Sequence, residues 1–387
     1  MSKTNNKKDD EKNEKLSKLT IISSGYPLNM GQTLSEPVTA KDTAVVRNSA
    51  YRVGSSCMQG WRINMEDSHT HILSLPDDPS TAFFGVYDGH GGAKISDYAG
   101  KHLHKFIVNR EEFKHGNIGE ALKKAFIELD HAMFANETLK SEQSGSTAVV
   151  VVIKDNKLFC ANIGDSRSIA CINGKLELLS HDHKPNNTEE YERITDAGGW
   201  VDCNRVNGNL ALSRAFGDYI FKRDNSRPPE EQIVIALPDI IEKQVNSDWD
   251  FLVLACDGIW DVMTNEEVLR FVISNIANGL EPEEICEDLM MRCLAPDCQM
   301  AGLGCDNMTV VIVVFLHGKT YEEIVEKCKS YMSDFDIEAE EKEQSNIILN
   351  QEPFEENTKI EESDEEELHT KQCASKQQCA ANATAKE

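Results

Sequence analysis

Apolar residues along this chain come in short runs, each cut off by a glycine- or aspartate-rich turn, and the period within each run predicts the elements. Tyr51 to Cys57, Ser68 to Leu75 and Thr81 to Tyr87 have the length and composition of strands. Gly92 to Val108 then places Ile95, Tyr98, Ala99, Leu103 and Phe106 on one helical face. Ile118 to Phe134 does the same with Leu122, Ala125, Phe126, Leu129 and Met133. Strands return over Ser146 to Ile153, Lys157 to Ile163 and Ser168 to Ile172, with Asp155-Asn156 and Asn173-Gly174 as hairpin turns. Thr264-Asn265-Glu266-Glu267 is a capping box opening a helix through Ile276. A further helix is expected from Pro282 to Leu294, and a buried strand from Met308 to Leu316.

Strands, two helices, many strands, then helices and a last strand do not alternate as a parallel sheet requires. The order predicts an α+β fold of antiparallel sheets packed together with helices outside. The pattern tightens near Ser49, so residues 1–48 read as a largely disordered extension and residues 49–316 as the globular domain. Tyr321, Ile324, Val325 and Cys328 suggest a helical extension over 317–344, and the low-complexity tail over 345–387 is expected to be disordered.

Hydrophobic residues make up 40% and charged residues 27% of the 387, which suits a soluble domain with a sizeable core. The net charge of −26 argues against a basic nucleic-acid-binding face. Beyond Tyr331 the acidic residues exceed the basic ones by eleven, so the tail carries a large share of that charge. The twelve cysteines include no Cys-x-x-Cys pair, and several lie within apolar runs. Reduced, mostly buried thiols of a cytoplasmic or nuclear protein are expected. No apolar run is long enough to span a membrane. Met30-Gly31-Gln32-Thr33-Leu34-Ser35 fits a myristoylation pattern, so membrane association is expected only if translation starts at Met30.

Three apolar runs meet an aspartate. Thr81 to Tyr87 ends in Asp88-Gly89-His90-Gly91-Gly92, Phe251 to Cys256 ends in Asp257-Gly258, and Asp306-Asn307 leads into Met308 to Phe315. A carboxylate at the end of a buried strand is costly without a cation or hydrogen bonds to offset its charge. With Glu66-Asp67 upstream, and Asp165 and Asp261 near similar turns, these residues point to one convergent acidic cluster. Oxygen ligands with no His/Cys set favour Mg2+ or Mn2+ over Zn2+. Two such ions activate a bridging water and neutralise charge on a phosphoryl group. Gly89 would let a backbone carbonyl approach an ion. Arg62 is a candidate phosphate fork and His90 a candidate acid for a leaving alkoxide. His69 and His71 alternate on a strand and read as structural. Gly89 to Lys94 lacks the spacing of a nucleotide-binding loop.

Arg62-Ile63-Asn64-Met65-Glu66-Asp67-Ser68-His69, Asp88 to Gly92, Gly164-Asp165-Ser166-Arg167, Asp257-Gly258-Ile259-Trp260-Asp261 and Asp306-Asn307-Met308-Thr309 resemble the signature motifs of the metal-dependent type 2C serine/threonine protein phosphatases. Leu210 to Asp218 resembles another block of that family, and the likeness runs from Ser49 to Leu316 in the right order. The resemblance implies a β-sandwich of two antiparallel sheets flanked by antiparallel helices, with metals at one end. It implies that Asp88 bridges two ions, that the Gly89 carbonyl, Glu66, Asp257 and Asp306 complete the shells, and that Asp67 stands behind them. Asp165 and Asp261 match a weaker third site, Arg62 the phosphate binder and His90 the general acid. The implied reaction is hydrolysis of phosphoserine and phosphothreonine in signalling proteins by a metal-bridging hydroxide, in a monomer, with His183 to Val206 as a variable flap. Ser2 stands where acylated relatives carry glycine. The alternatives are an inactive pseudophosphatase serving as a binding module, and a hydrolase of small phosphoesters.

Overall fold

All seven residues of Thr81–Tyr87 are buried, because this strand is covered on both faces. Alternate residues of a strand point to opposite sides. Phe84 and Val86 therefore enter a core shared by two sheets, while Phe83 and Tyr87 meet helices. That double cover is why the sequence there reads as an unbroken apolar run. The computed structural model describes residues 33–298 and 302–333. The Met30-Gly31 pattern, the acidic tail and most of the proposed N-terminal extension lie outside them.

The strands are β1 (Thr33–Arg47), β2 (Tyr51–Arg62), β3 (Ser68–Ile72), β4 (Thr81–Tyr87), β5 (Ala148–Lys154), β6 (Lys157–Ile163), β7 (Arg167–Ile172), β8 (Lys175–Leu178), β9 (Asp239–Gln244), β10 (Trp249–Ala255) and β11 (Met308–Phe315). Of the two large sheets, one runs β1-β2-β11-β10-β7-β8 and the other β9-β6-β5-β4-β3; two small sheets are built from two-residue strands, one of them joining Gly89–His90, Gly145–Ser146 and Phe216–Gly217. Every pairing within them is antiparallel. Helices α1 (Lys94–Val108) and α2 (Ile118–Ala135) cover the second sheet through Leu103, Leu122 and Phe126. The flap between the sheets' strands carries α3 (Thr188–Asp196). Helices α4 (Asn265–Ala277) and α5 (Pro282–Cys293) cover the first sheet through Val272, Ile285 and Leu289. These are the packed antiparallel sheets with outer helices that the pattern predicts and the sandwich that the resemblance implies, and the Thr264–Glu267 capping box opens α4 as expected.

Two differences from the sequence reading have physical causes. The folded domain begins before Ser49, since β1 pairs with β2 at the sheet's edge. None of its fifteen residues is fully buried, so an edge strand with one open face leaves little hydrophobic signal. The thiols are not all free: Cys298 and Cys305 form a disulfide, seven residues apart. Six of the eight described free cysteines are buried, as expected. Residues 321–333 are helical. Tyr321, Ile324 and Cys328 bury in the α4–α5 core, and Lys327 pairs with the buried Asp250 at 2.5 Å while Tyr331 donates to it at 3.0 Å.

Candidate metal-binding active site

Strand register decides where the acidic residues meet. Ser68 lies opposite Tyr87, and Ala148 opposite Ile163, so the start of β3 and the ends of β4 and β6 share one end of their sheet. In the other sheet Met308 lies opposite Met58, and Ala255 opposite both Val310 and Arg167. The ends of β2 and β10 and the start of β11 therefore also coincide. Glu66, Asp67, Asp88, Asp165, Asp257 and Asp306 all flank these strand ends, although as many as 240 residues separate them along the chain.

Asp88 is the centre. Its carboxylate lies within 4.8 Å of ligand atoms of Asp165 and Asp257 on one side and of Asp67 and Cys256 on the other. Backbone bonds on both sides fix it: its N–H donates to Thr147 Oγ1 at 3.2 Å, and its carbonyl accepts from Thr147 N at 2.9 Å. Asp67 accepts from Thr309 Oγ1 at 2.7 Å and lies in one of the two groups around Asp88. Asp306 accepts from Arg62, bringing the proposed phosphate fork onto the rim of the cluster. Glu66 is positioned through its backbone, whose N–H donates to Asn307 Oδ1 at 2.9 Å and whose carbonyl accepts from Ser96. A Cβ on Gly89 would come within 2.2 Å of that same carbonyl, so only glycine fits there. Asp261 follows the short helix Asp257–Trp260 and, with Glu66 and Asp306, lies outside the two tightest groups.

Burial and mutual repulsion dominate the electrostatics. Burial, then Asp257, Asp67, Asp306 and Asp165, push the Asp88 carboxyl well above its ordinary range. Asp257 is pushed up in the same way by burial, Asp165, Asp306 and Asp261. Burial also raises Asp67 and Asp261. Among the described residues, two basic side chains form ion pairs with this cluster, Arg62 with Asp306 and Lys184 with Asp165, while Arg167 and His90 act on Asp165 from further away. A set of mostly carboxylate donors with less cationic charge than it needs fits a hard metal ion.

His90 sits on the opposite lip, its Nε2 bonded to Asp218 Oδ2 at 2.7 Å. Burial opposes its protonation, but the Asp218 carboxylate outweighs that and raises its pKa. Gly145 makes the pair possible, since a Cβ there would lie 2.1 Å from Asp218 Oδ2 and 2.5 Å from His90 Nε2. Asp218, Asn307, Thr147 and Lys184 are the working residues that sequence reasoning passed over. Asp218 and Asn307 stood inside quoted motifs, but a partner 128 residues away left no local signal. His69 and His71 stay structural, stacked 5.6 Å apart and with depressed basicity from burial.

With the geometry in place, comparison with known proteins decides the family. The family model described as protein phosphatase 2C matches residues 51–302. The chain belongs to the protein phosphatase 2C family. It is 58% identical over 299 residues to a probable protein phosphatase 2C of Caenorhabditis elegans, covering 77% of this chain and 84% of that one. Protein phosphatase 2C homolog 2 of Schizosaccharomyces pombe is 48% identical over 299 residues, 76% of this chain and 81% of its own. A crystal structure of a phosphatase from Toxoplasma gondii superposes with a TM-score of 0.61 at 30% identity, covering 71% of this chain and 96% of that one. The phosphatase is thus a metal-dependent serine/threonine protein phosphatase of the α+β sandwich type. All its motif carboxylates are present, so the inactive binding-module alternative is not favoured.

Proposed function

We propose that the cleft hydrolyses phosphoserine and phosphothreonine in signalling proteins with two Mg2+ or Mn2+ ions, and that Asp88 serves both. The observation that carries this reading is that Asp88 is shared by two overlapping ligand groups. Asp257, Glu66, Asp306 and the Gly89 carbonyl would complete the shells, with Asp165 and Asp261 available to a weaker third ion. Bound, these ions would neutralise phosphoryl charge and activate water. Arg62 spends one arm on Asp306, and its remaining donors stay free to fork onto the phosphate. His90, protonated, donates from Nε2 to Asp218 and keeps its Nδ1–H for the departing serine or threonine oxygen. We further propose a monomer acting in the cytoplasm or nucleus, a location favoured by the buried free thiols of the core. No helix among the described residues is long and apolar enough to cross a membrane.

Phosphate release from a phosphothreonine peptide tests the reading, with Mg2+ or Mn2+, with excess chelator, and with Asp88→Ala. Release should require the ion and fall by roughly a thousandfold or more in the variant, whose circular dichroism stays native. Metal-independent release, or turnover retained by Asp88→Ala, would overturn it.

A further inference from the structure

The cleft does not end at the acidic cluster. It belongs to one cavity of about 940 Å3 whose lining also includes Lys140, Arg205, Ile220 and Arg223. The lining therefore adds basic and apolar side chains, the lip, to the acidic cluster.

The lip is built on a stiff support. Asp218, fixed by His90, adopts a left-handed conformation at φ 50°, and this turns the chain into the 3-10 segment Tyr219–Phe221. Tyr219 is buried, donates its hydroxyl to the Asp130 carbonyl at 3.1 Å and packs its ring 5.0 Å from Phe134. Next to it Ile220 is 63% exposed, and Phe134 is 43% exposed. Lys140 stands over the Phe134 ring at 5.3 Å. Phe134 and Lys140 are thus tied through Tyr219 to the segment that follows the His90–Asp218 pair and carries Ile220.

Charge pairing along the lip is selective. Lys222 is neutralised by the buried Asp130 at 2.8 Å, and Glu142 by Lys94 at 2.5 Å. Lys140 and Arg223, by contrast, have no carboxylate partner among the described residues, in a chain of net charge −26 with many acids to spare. Two unpaired cations flanking two exposed apolar side chains, beside a phosphate-binding cleft, describe a surface awaiting an anionic, partly apolar chain.

We propose that Phe134, Lys140, Ile220 and Arg223 form a docking lip for the substrate segment flanking the phosphoresidue, and that it selects segments bearing carboxylate side chains beside an apolar one. The inference rests on the phosphatase reading and adds its substrate class. The phosphoresidue enters the cleft at Arg62, an apolar neighbour lies on Phe134 and Ile220, and acidic neighbours meet Lys140 and Arg223. Exposed charge pairs are individually weak, so the lip acts on substrate choice and leaves the chemical step alone.

The test uses the full chain with Mn2+ and matched phosphothreonine peptides that differ only in Glu, Gln or Lys at the flanking positions. Steady-state kinetics on the wild type, on the double variant Lys140→Glu/Arg223→Glu and on Ile220→Ser give KM and kcat, and p-nitrophenyl phosphate reports the chemical step without docking. Glu peptides should show the lowest KM on the wild type. The double variant should raise that KM about fivefold, lower it for Lys peptides, and leave kcat and p-nitrophenyl phosphate turnover unchanged. Ile220→Ser should raise KM about threefold only for peptides with an apolar flank. Equal KM for Glu and Lys peptides, or variants that shift all peptides alike, would overturn the proposal. Fluorescence anisotropy of the same peptides reads docking independently of turnover. A preference for Glu peptides there supports the lip even if hydrolysis fails, and no preference sinks it even if hydrolysis succeeds.

Discussion

Two regions of this molecule bury carboxylates and treat them in opposite ways. In the cleft, Asp88 and Asp257 face other acids, and burial with mutual repulsion pushes both well up. In the flap, Glu190 is buried more completely than the half-buried Asp88 and Asp257, and it is gripped by arginines. Arg214 donates to its Oε1 from Nε at 2.9 Å and from Nη2 at 2.6 Å, and Arg193 to its Oε2 at 2.7 Å. Arg214 also reaches Asp239 at 2.8 Å, which His183 bonds from the other side at 3.1 Å. Burial alone would raise Glu190, yet these partners hold it down at about 2. The His183 bond and Arg214 likewise hold Asp239 far below its usual range. A buried carboxylate with its cation supplied by the chain is a structural clamp. One without it is a place for an ion from solution.

Substitutions should therefore have opposite signs in the two regions. Arg214→Ala strands Glu190 with only Arg193 and should cost about 3–5 kcal/mol, measured by urea unfolding. A loss within 1 kcal/mol would mean that the flap clamp contributes little and would break the contrast. Saturating Mg2+ or Mn2+, at about 100 times its dissociation constant, should stabilise the protein by about 2.7 kcal/mol. Calorimetry should show the unfolding temperature rise with the ion and fall back with chelator. Neutralising the centre of the acidic cluster should then help the ion-free protein. Asp88→Asn relieves repulsion and should gain about 1–2 kcal/mol without ions while losing the response to them. An ion-free Asp88→Asn less stable than the parent would show that Asp88 is held by something other than absent cations.

The same contrast explains what the sequence discloses. Asp88, Asp257 and Asp306 are legible together: any one beside a glycine or asparagine reads as a turn, but three bordering apolar runs, with Glu66-Asp67 upstream, do not. The strand Thr81–Tyr87 and the helix from Asn265 are equally plain, one from burial on both faces and the other from its capping box. Glu190, Arg193 and Arg214 look like solvated surface charges on a polar flap, and only the fold reveals that they are buried together. Strand β1 hides for the reverse reason, since its open face carries polar residues where a core strand would carry valines. Asp218 is hidden by conformation, because its left-handed turn and its partner His90 belong to distant parts of the chain. Composition reports what is buried in bulk, while pairing between distant charges is decided by tertiary packing.

The flap clamp also predicts a pH signature, the smallest effect of the set. Because the folded state holds the Glu190 carboxyl below its ordinary value, its contribution is fully present above the unfolded pKa of 4.5 and is lost as pH falls toward about 2. Glu190→Gln removes the charge and so removes that dependence. The gap in stability between the parent protein and Glu190→Gln should be constant near neutral pH. It should then narrow by about 1 kcal/mol between roughly pH 4.5 and 3.5, measured by urea unfolding across that range. Acids elsewhere titrate in both proteins and cancel in the difference, which isolates the clamp. A gap that stays constant through the window would mean that Glu190 acts by shape and hydrogen bonding alone. The arginines would then be packing partners, and the contrast with the cleft would be one of geometry instead of charge.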